Sequence, residues 1–239
     1  MTRRELCALL EERMATHPEE WDNDGLLVGR GSAPVTSVLL TLDVTPAAVA
    51  YAKERGFDLI LSHHPLIFHP LKRVAEGRVF DLVEAGIGVI SYHTRLDRAH
   101  PGVGDALAEA LGLADTAPLG DFSVVGRVPP LSACELAERV KMALHAPAVR
   151  FADGGRPIRT VAVMGGSGEE FFPEAEADAF VTGEAGYHTL TDAVGQGKTL
   201  VEAGHFYTEY PVLSLLEGWL SEFGISKTEI FFSDLVGVC

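Results

Sequence analysis

The two halves of the chain repeat the same order of predicted elements, and this duplication restricts the folds open to it. Each half begins with an amphipathic helix, at residues 2–14 and 131–145, in which a Ser or Thr stands three residues before a Glu. That spacing is typical of a capping box, in which the two side chains satisfy the first backbone N–H groups of a helix. A short apolar extended segment follows each helix, at 25–29 and 148–152.

Three further pairs of apolar segments extend the duplication. Each segment has the pattern of a buried strand that leads into a helix or turn. The matched strands lie at 37–43 and 159–166, at 58–64 and 178–184, and at 88–97 and 198–209. Strands that alternate with helices indicate a mainly parallel sheet. We therefore predict an α/β fold of two α-β-(βα)3 repeats, at 1–120 and 121–239, that are closely packed or intertwined.

Composition and charge argue against several classes of protein. The net charge of −15 disfavours nucleic acid as the main partner, because phosphate binding requires a basic surface. No apolar run approaches the roughly 18 residues of a membrane span, and the N-terminal segment lacks the apolar core of a signal peptide. Cys7, Cys134 and Cys239 form no CxxC pair. We therefore expect a protein of the reducing cytoplasm.

Two adjacent histidines follow one of the predicted strands. His63 and His64 stand directly before Pro65, and ligand sites in open α/β sheets lie at the carboxyl ends of the strands. Consecutive strand residues point to opposite faces, so both imidazoles can serve one site only where the chain has left the strand. Pro65 permits this because it ends the strand. Taken alone, the motif is equally compatible with metal binding and with a buried hydrogen-bonded pair.

A histidine followed four residues later by a carboxylate occurs at the same place in both halves. His93 and Asp97 form the pair in the first half, and His205 and Glu209 form it in the second. Both pairs stand at a strand-to-helix turn, and the same offset relates their members. Together with the double histidine, they supply enough nitrogen and oxygen donors for two divalent ions, which carboxylates can bridge at roughly 3.5–4 Å.

The sequence resembles the Nif-three-like family of dinuclear-metal, hexamer-forming proteins, many of which are called homologues of type-2 GTP cyclohydrolase I. The resemblance covers essentially the whole chain. The segments that carry it are WDNDGLLVG at 21–29, LTLDVTP at 40–46, DLILSHHPLIF at 58–68, HTRLD at 93–97, TGEAGYH at 182–188 and AGHFYTE at 203–209. The resemblance implies a toroidal homohexamer that encloses the metal sites. The metal ligands that it implies are His63, His64, Asp97, His205 and Glu209.

The chain departs from the family pattern at two positions that are not ligands. It has Arg95 where members usually have Asn, and Asp24 where they usually have an apolar residue. We expect Arg95 to add a positive charge at the mouth of the site.

Two further residues are candidates for proton transfer or for support of the ligands. His93 is matched to the ligand His205, yet we favour a role in which it hydrogen-bonds a ligand carboxylate or a bound water. Glu184 falls at the place of His64 in the other repeat. It is either a general base or only the first-turn acid of a helix.

Three other groups of residues give weaker signals. The first group could cradle an anion with backbone N–H groups, or simply form a turn: Gly165, Gly166 and Gly168. The second could meet a phosphate, although such residues more often form a solvated face: Lys72, Arg73 and Arg78. The third could support the site, although a structural turn is the simpler explanation: Trp21, Asp22 and Asn23.

The donor set points to metal chemistry. Imidazole and carboxylate without thiolate suit Zn²⁺, Mn²⁺, Fe²⁺, Co²⁺ or Ni²⁺. Five ligands shared between two divalent metal ions per subunit leave coordination positions open, as in sites that activate water or capture a ligand. We therefore expect a metal-dependent hydrolase that acts on a nucleotide or phosphorylated small molecule. The alternative is a non-catalytic metal carrier or scaffold protein.

Overall fold

A computed structural model describes residues 1–237 of the chain, so Cys239 lies outside the described residues. The chain forms two compact units. The first comprises Met1–Ala99 and Leu213–Leu235, and the second is built mainly of His100–Val212. Within the described residues, no helix combines the length and the apolar composition that a membrane crossing requires.

Helices and strands alternate along most of the chain, as predicted. The α-helices are α1 Arg3–Met14, α2 Pro46–Arg55, α3 Arg78–Ala85, α4 Thr94–Arg98, α5 Val103–Ala110, α6 Ala133–Leu144, α7 Tyr187–Gly195, α8 His205–Glu209 and α9 Val212–Glu222. The strands are β1 Gly25–Val28, β2 Ser37–Thr41, β3 Leu59–Ser62, β4 Gly88–Ser91, β5 Ala114–Leu119, β6 Ser123–Leu131, β7 Arg150–Ala152, β8 Ile158–Met164, β9 Ala179–Thr182, β10 Thr199–Glu202 and β11 Lys227–Ile230.

The first unit contains a sheet with the strand order β1-β4-β3-β2-β11. Neighbouring strands are parallel except at the edge, where β1 pairs antiparallel with β4. All residues of β2 and β3 are buried, which is why their sequences are almost continuously apolar rather than alternating. An apolar core packs against this sheet, and its side chains include Val28, Leu39, Val49, Ile60, Leu82 and Val89.

The second unit contains a sheet with the order β5-β6-β8-β9-β10-β7. Its centre is the parallel trio β8, β9 and β10, and the strands β5, β6 and β7 are added antiparallel. The predicted fold class, an α/β fold with mainly parallel sheets, is thus confirmed, and the matched segments at 25–29 and 148–152 form the antiparallel edge strands β1 and β7. Two of the antiparallel strands, β5 and β6, lie on either side of residue 120 and form a hairpin with Gly120 in the left-handed region at φ +65°.

Both predicted capping boxes are present. The Thr2 hydroxyl accepts a hydrogen bond from the Glu5 backbone N–H, and the Glu5 carboxylate accepts one from the Thr2 N–H. Ser132 and Glu135 make the same reciprocal pair at the start of α6. These side chains satisfy backbone donors that a helix leaves without partners in its first turn.

Each sheet also has a carboxylate clamp, an aspartate that accepts hydrogen bonds at the start of a central strand. Asp58, before β3, accepts hydrogen bonds from the backbone N–H groups of Thr36 and Ser37, at 2.8 and 3.0 Å. Asp178, before β9, accepts hydrogen bonds from the backbone N–H groups of residues 159 and 160, both at 2.9 Å. Each carboxylate therefore ties the start of its own strand to the start of the neighbouring parallel strand.

A buried arginine joins α1 to the first sheet. Arg3 is buried, and its guanidinium donates to the carbonyl oxygens of Asp58 and Gly86, both at 2.8 Å. A Cβ atom at Gly29 or Gly88 would lie 2.3 or 2.6 Å from a guanidinium nitrogen of Arg3. Any side chain larger than hydrogen at these two positions would therefore displace the arginine.

One strand, β11, has no counterpart among the predicted segments. The strand β11 pairs parallel with β2, although it is only partly buried and lacks the continuous apolar run that would reveal it in the sequence. The segment after β8 forms a 3-10 helix, Glu169–Glu174, which contains Pro173. The segment Leu213–Leu235, which contains β11 and nearly all of α9, belongs to the first compact unit. The repeats at 1–120 and 121–239 stay a prediction.

The carboxylate clamps should stabilise the fold above about pH 4. Burial raises the pKa of Asp58, but the hydrogen bonds from Thr36 and Ser37 outweigh it, so the pKa lies below its usual value. A depressed pKa contributes stability that is present above the unfolded value, about 3.9, and is lost as the pH falls through the folded pKa. We expect Asp58→Asn to lower the free energy of unfolding by roughly 1–3 kcal/mol at pH 7, measured by urea denaturation.

The loss should shrink as the pH falls below about 4, because the wild-type carboxyl then becomes protonated too. Glu54→Gln is the matched control, since Glu54 is an exposed carboxylate in the same unit. Equal unfolding free energies for Asp58→Asn and wild type at pH 7 would contradict the clamp.

Candidate metal-binding site

The double histidine stands just past the end of β3. β3 ends at Ser62, and the backbone N–H groups of His63 and His64 continue the ladder by donating to the carbonyl oxygens of residues 41 and 42, at 3.2 and 2.9 Å. The two imidazole centroids are 5.0 Å apart. His63 is fully buried, whereas His64 is partly exposed. The two rings therefore lie together even though backbone hydrogen bonds to the neighbouring strand continue past Ser62.

Three histidines of the first unit, His63, His64 and His93, each have their Nδ1 hydrogen-bonded to an oxygen that can only accept. The Nδ1 of His63 lies 3.0 Å from the carbonyl oxygen of Tyr92, and that of His64 lies 2.9 Å from an Asp43 carboxylate oxygen. The Nδ1 of His93 lies 3.3 Å from Asp22. Because the partner accepts, Nδ1 carries the proton, and Nε2 of a neutral ring presents its lone pair.

Ring nitrogens of these three residues lie close together. His63, His64 and His93 each offer a ring nitrogen within 4.8 Å of the other two. The His93 ring centroid is 5.4 Å from that of His63 and 5.7 Å from that of His64. The geometry of His93 thus matches that of a ligand as well as that of a residue supporting the ligands.

Asp97 lies on α4, the short helix that follows His93. Its Oδ1 is 3.5 Å from the Nε2 of His63. A neutral imidazole nitrogen and a carboxylate oxygen are both acceptors, so they repel at this distance unless a proton or a cation lies with them. The donor set therefore fits a divalent cation.

Asp22 holds the start of α4 in place. Its buried carboxylate accepts from the Thr94 backbone N–H at 3.1 Å and from the Thr94 hydroxyl at 2.5 Å, in addition to its contact with His93. Burial raises the pKa of Asp22, but the hydrogen bonds from His93 and Thr94 outweigh it, and the pKa lies well below its usual value. Asp22 is thus an anchored anion that orients His93.

The second unit brings its own predicted residues together. His205 and Glu209 are the first and last residues of α8, and the His205 Nε2 lies 3.1 Å from the Glu209 Oε1. The His205 Nδ1 lies 2.9 Å from the Glu184 Oε1. Glu184 precedes α7, so it does not stand in the first turn of that helix. It contacts a histidine of the candidate site instead.

The glycine turn after β8 makes room for the Glu209 carboxylate and the His205 ring. Gly166 has φ +63°, and a Cβ atom there would lie 2.2 Å from a Glu209 carboxylate oxygen. Its N–H donates to the hydroxyl of Thr208 at 3.1 Å. The N–H of Gly168 donates to the hydroxyl of Thr182 at 3.0 Å. The structural alternative for these glycines, a turn, is therefore the one that the hydrogen bonds support.

The expected role of Arg95 is wrong. Its guanidinium is buried instead of lying at the mouth of a site. Its Nε lies 3.6 Å from the Oδ2 of Asp24 and an Nη lies 3.7 Å from Glu11, and the group stands 5.6 Å from the centroid of the Tyr92 ring. The two departures from the family pattern thus form an ion pair with each other.

The weaker sequence candidates have mixed outcomes. Arg78, predicted to meet a phosphate, donates to the carbonyl oxygen of Val44 at 2.7 Å. This hydrogen bond uses one of its guanidinium nitrogens. Lys72 and Arg73 are exposed, and their contact with phosphate stays a prediction. Asp43, which contacts the Nδ1 of His64, was not among the predicted residues, although its place at the end of the buried run of β2 was a usable signal.

Comparison with known proteins identifies the family. The model of the Duf34/NIF3 (NGG1p interacting factor 3) family matches residues 1–236. The chain belongs to the DUF34/NIF3 family. This DUF34/NIF3 protein is 34% identical over 213 residues to the GTP cyclohydrolase 1 type 2 homolog of Clostridium perfringens, covering 82% of this chain and 81% of the relative. It is 36% identical over 231 residues to the homolog of Streptomyces coelicolor, covering 87% and 81%.

A solved structure supports the same assignment. The DUF34/NIF3 protein superposes on the Staphylococcus aureus protein SA1388 with a TM-score of 0.90 at 27% identity, over 100% of this chain and 99% of that one. The two-sheet α/β architecture of the chain is therefore an architecture of this family.

The Arg95–Asp24 pair should show strong energetic coupling. Arg95→Asn leaves the Asp24 carboxylate without this cation, and Asp24→Val leaves a buried cation beside the Glu11 carboxylate, 3.7 Å away. We expect each single variant to lose roughly 3–5 kcal/mol of unfolding free energy, as for other broken buried pairs. The double variant should lose less than the sum, by about 1 kcal/mol or more, in urea denaturation. Strictly additive losses would show that the two groups do not interact.

Glu184 should tune metal affinity through His205. Glu184→Ala removes the acceptor that fixes the ring and its tautomer, so the metal dissociation constant should rise roughly 10–100-fold in calorimetric titration. Glu184→Gln keeps an acceptor oxygen and should lose less. Glu176→Ala is the matched control, an exposed carboxylate of the same unit. An unchanged dissociation constant in Glu184→Ala would reject this role.

Proposed function

We propose that this DUF34/NIF3 protein is a divalent-metal-dependent hydrolase that acts on a nucleotide or another phosphorylated small molecule. The observation that carries the proposal is the shared anchorage of four imidazoles. His63, His64, His93 and His205 each have their Nδ1 within 3.3 Å of a carbonyl or carboxylate oxygen. That arrangement orients an imidazole for coordination through Nε2.

The chemistry of the donors supports transition-metal binding. The candidate ligands are imidazoles and carboxylates, and this set suits Zn²⁺, Mn²⁺, Fe²⁺, Co²⁺ or Ni²⁺. Close approach of Nε2 to a carboxylate oxygen in each unit, at 3.5 and 3.1 Å, indicates places where positive charge is stabilising. The dinuclear centre of His63, His64, Asp97, His205 and Glu209 stays a prediction from the family resemblance. So do the homohexamer and the cytoplasmic location.

The residues of the chain have separable roles in the proposed reaction. Bound divalent ions would polarise the substrate and lower the pKa of a coordinated water. Asp22 and Asp43 keep the Nδ1 protons of His93 and His64 in place, so these rings present Nε2. Glu184 contacts the Nδ1 of His205 while its side chain is still half exposed, so it can pass a proton between that ring and solvent.

The names of the relatives support a purine nucleotide as a specific version of the substrate. The similar proteins of C. perfringens and S. coelicolor are called GTP cyclohydrolase 1 type 2 homologs. Opening a purine ring by hydrolysis requires an activated water, which fits the proposed chemistry. The chain has no recognisable guanine-binding sequence motif, so this version depends on the names of the relatives.

Metal content tests the proposal first. Protein purified without chelator and resupplied with metal should contain about two transition-metal ions per chain by elemental analysis. The double variant His63→Ala/His205→Ala should lose them. His17→Ala is the matched control, because His17 is an exposed imidazole outside the candidate residues. Equal and negligible metal content in wild type and double variant would reject the metal site.

Turnover then separates the hydrolase from the carrier or scaffold. A hydrolase should release product from a panel of nucleoside triphosphates and sugar phosphates only with metal bound, and Glu209→Ala should abolish this activity. A carrier should exchange its ions readily with a chelator and hydrolyse none of the panel. Full metal content without any turnover would therefore replace the hydrolase by the carrier.

A further inference from the structure

Two large aromatic side chains stand exposed beside the histidines of the first unit. Trp21 is 59% exposed and Phe68 is 42% exposed, although residues of this size usually bury most of their surface. Their ring centroids are 6.2 Å apart, with planes inclined at 55°. We propose that Trp21 and Phe68 form a stacking site for the planar heteroaromatic ring of a small-molecule ligand. This inference rests on the proposed function and specifies its substrate class.

The position of the pair connects it with the candidate donors. The Trp21 centroid lies 6.5 Å from that of His93, in an edge-to-face arrangement. A ring nitrogen of His93 lies within 4.8 Å of those of His63 and His64. A molecule seated on Trp21 therefore reaches the neighbourhood of the imidazole nitrogens with its other end. A ligand that combines a flat ring with an anionic group matches both features.

Hydrogen bonds hold the two aromatic segments in place. The Asn23 side-chain amide donates to the carbonyl oxygen of Ile67, next to Phe68. Asp22, next to Trp21, is fixed by Thr94 and His93. The aromatic rings thus project from anchored backbone, and a preorganised site loses less entropy when it binds a ligand.

The surroundings favour a small ligand over a protein partner. One ring of the pair touches a polar histidine cluster, and a protein interface would have to bury those imidazoles together with the aromatic faces at a desolvation cost. Stacking on exposed aromatic side chains is sequence-tolerant recognition of a heteroaromatic ring, because every such ring has a π-face. The inclined planes let a flat ring contact one aromatic face while its edge meets the other.

The intrinsic fluorescence of the chain can report on this site directly. The chain has two tryptophans, and Trp219 is 3% exposed in the apolar core. In Trp219→Phe, the emission therefore comes from Trp21 alone. We expect guanosine monophosphate to quench this emission saturably, after correction for absorption with a free tryptophan derivative. Ribose 5-phosphate, which lacks the ring, should leave the emission unchanged.

Calorimetric titration of the metal-loaded full chain gives an independent measurement that does not need Trp219→Phe. Trp21→Ala should raise the dissociation constant of guanosine monophosphate about tenfold or more, and Phe68→Ala should raise it less. Trp21→Phe should restore most of the affinity, because it keeps a stacking face. Phe151→Ala is the matched control, because Phe151 is 43% exposed in the second unit.

The outcomes separate this inference from the proposed function. Full metal content with equal nucleotide affinity in wild type and Trp21→Ala would overturn the stacking site and leave the metal site intact. A change of oligomeric state in Trp21→Ala, measured by light scattering, would also overturn the stacking site, since the aromatic pair would then contact another copy of the chain. Absence of metal together with saturable, ring-dependent quenching of Trp21 would overturn the hydrolase and retain the stacking site.

Discussion

The parallel register of β2, β3 and β4 positions the histidines of the first unit. Ser62 pairs with Thr41 on one side and with Ser91 on the other, so the residues that follow each strand emerge side by side. The buried hydroxyls of Ser62 and Ser91 lie 2.7 Å apart and join the carboxyl ends of the two strands. His63 then meets the Tyr92 carbonyl, because both residues stand one position past a paired serine. A shift of one residue in this register would turn the imidazole away.

The same physical device orients each imidazole in the two units. An acceptor oxygen at Nδ1 fixes the tautomer and the ring plane, and the Nε2 atoms of His63 and His205 lie 3.5 and 3.1 Å from a carboxylate oxygen of the same unit. The oxygen comes from Tyr92 for His63 and from a carboxylate at the other rings. Glycine at position 166 serves the same end, because a Cβ atom there would occupy the space of the Glu209 carboxylate.

Much of the fold follows from local sequence signals. The capping boxes at Thr2 and Ser132 mark helix starts, and the buried runs mark β2, β3, β8 and β9. β11 escaped prediction because a short, half-buried edge strand has no apolar periodicity. The ion pair of Arg95 and Asp24 also escaped prediction, since its members stand 71 positions apart and each looks like an isolated departure from the family pattern.

The sequence by itself determined the fold class, the family and the residue types of a candidate metal site. Periodicity, capping and the motifs around His63 and His205 are local, so they can be recognised in the sequence without a structure. Only the tertiary structure decided the partner of each Nδ1, the burial of Arg95 and the pairing of Trp21 with Phe68. These contacts join residues distant in the chain, and strand register and packing between elements create them, which no short segment specifies.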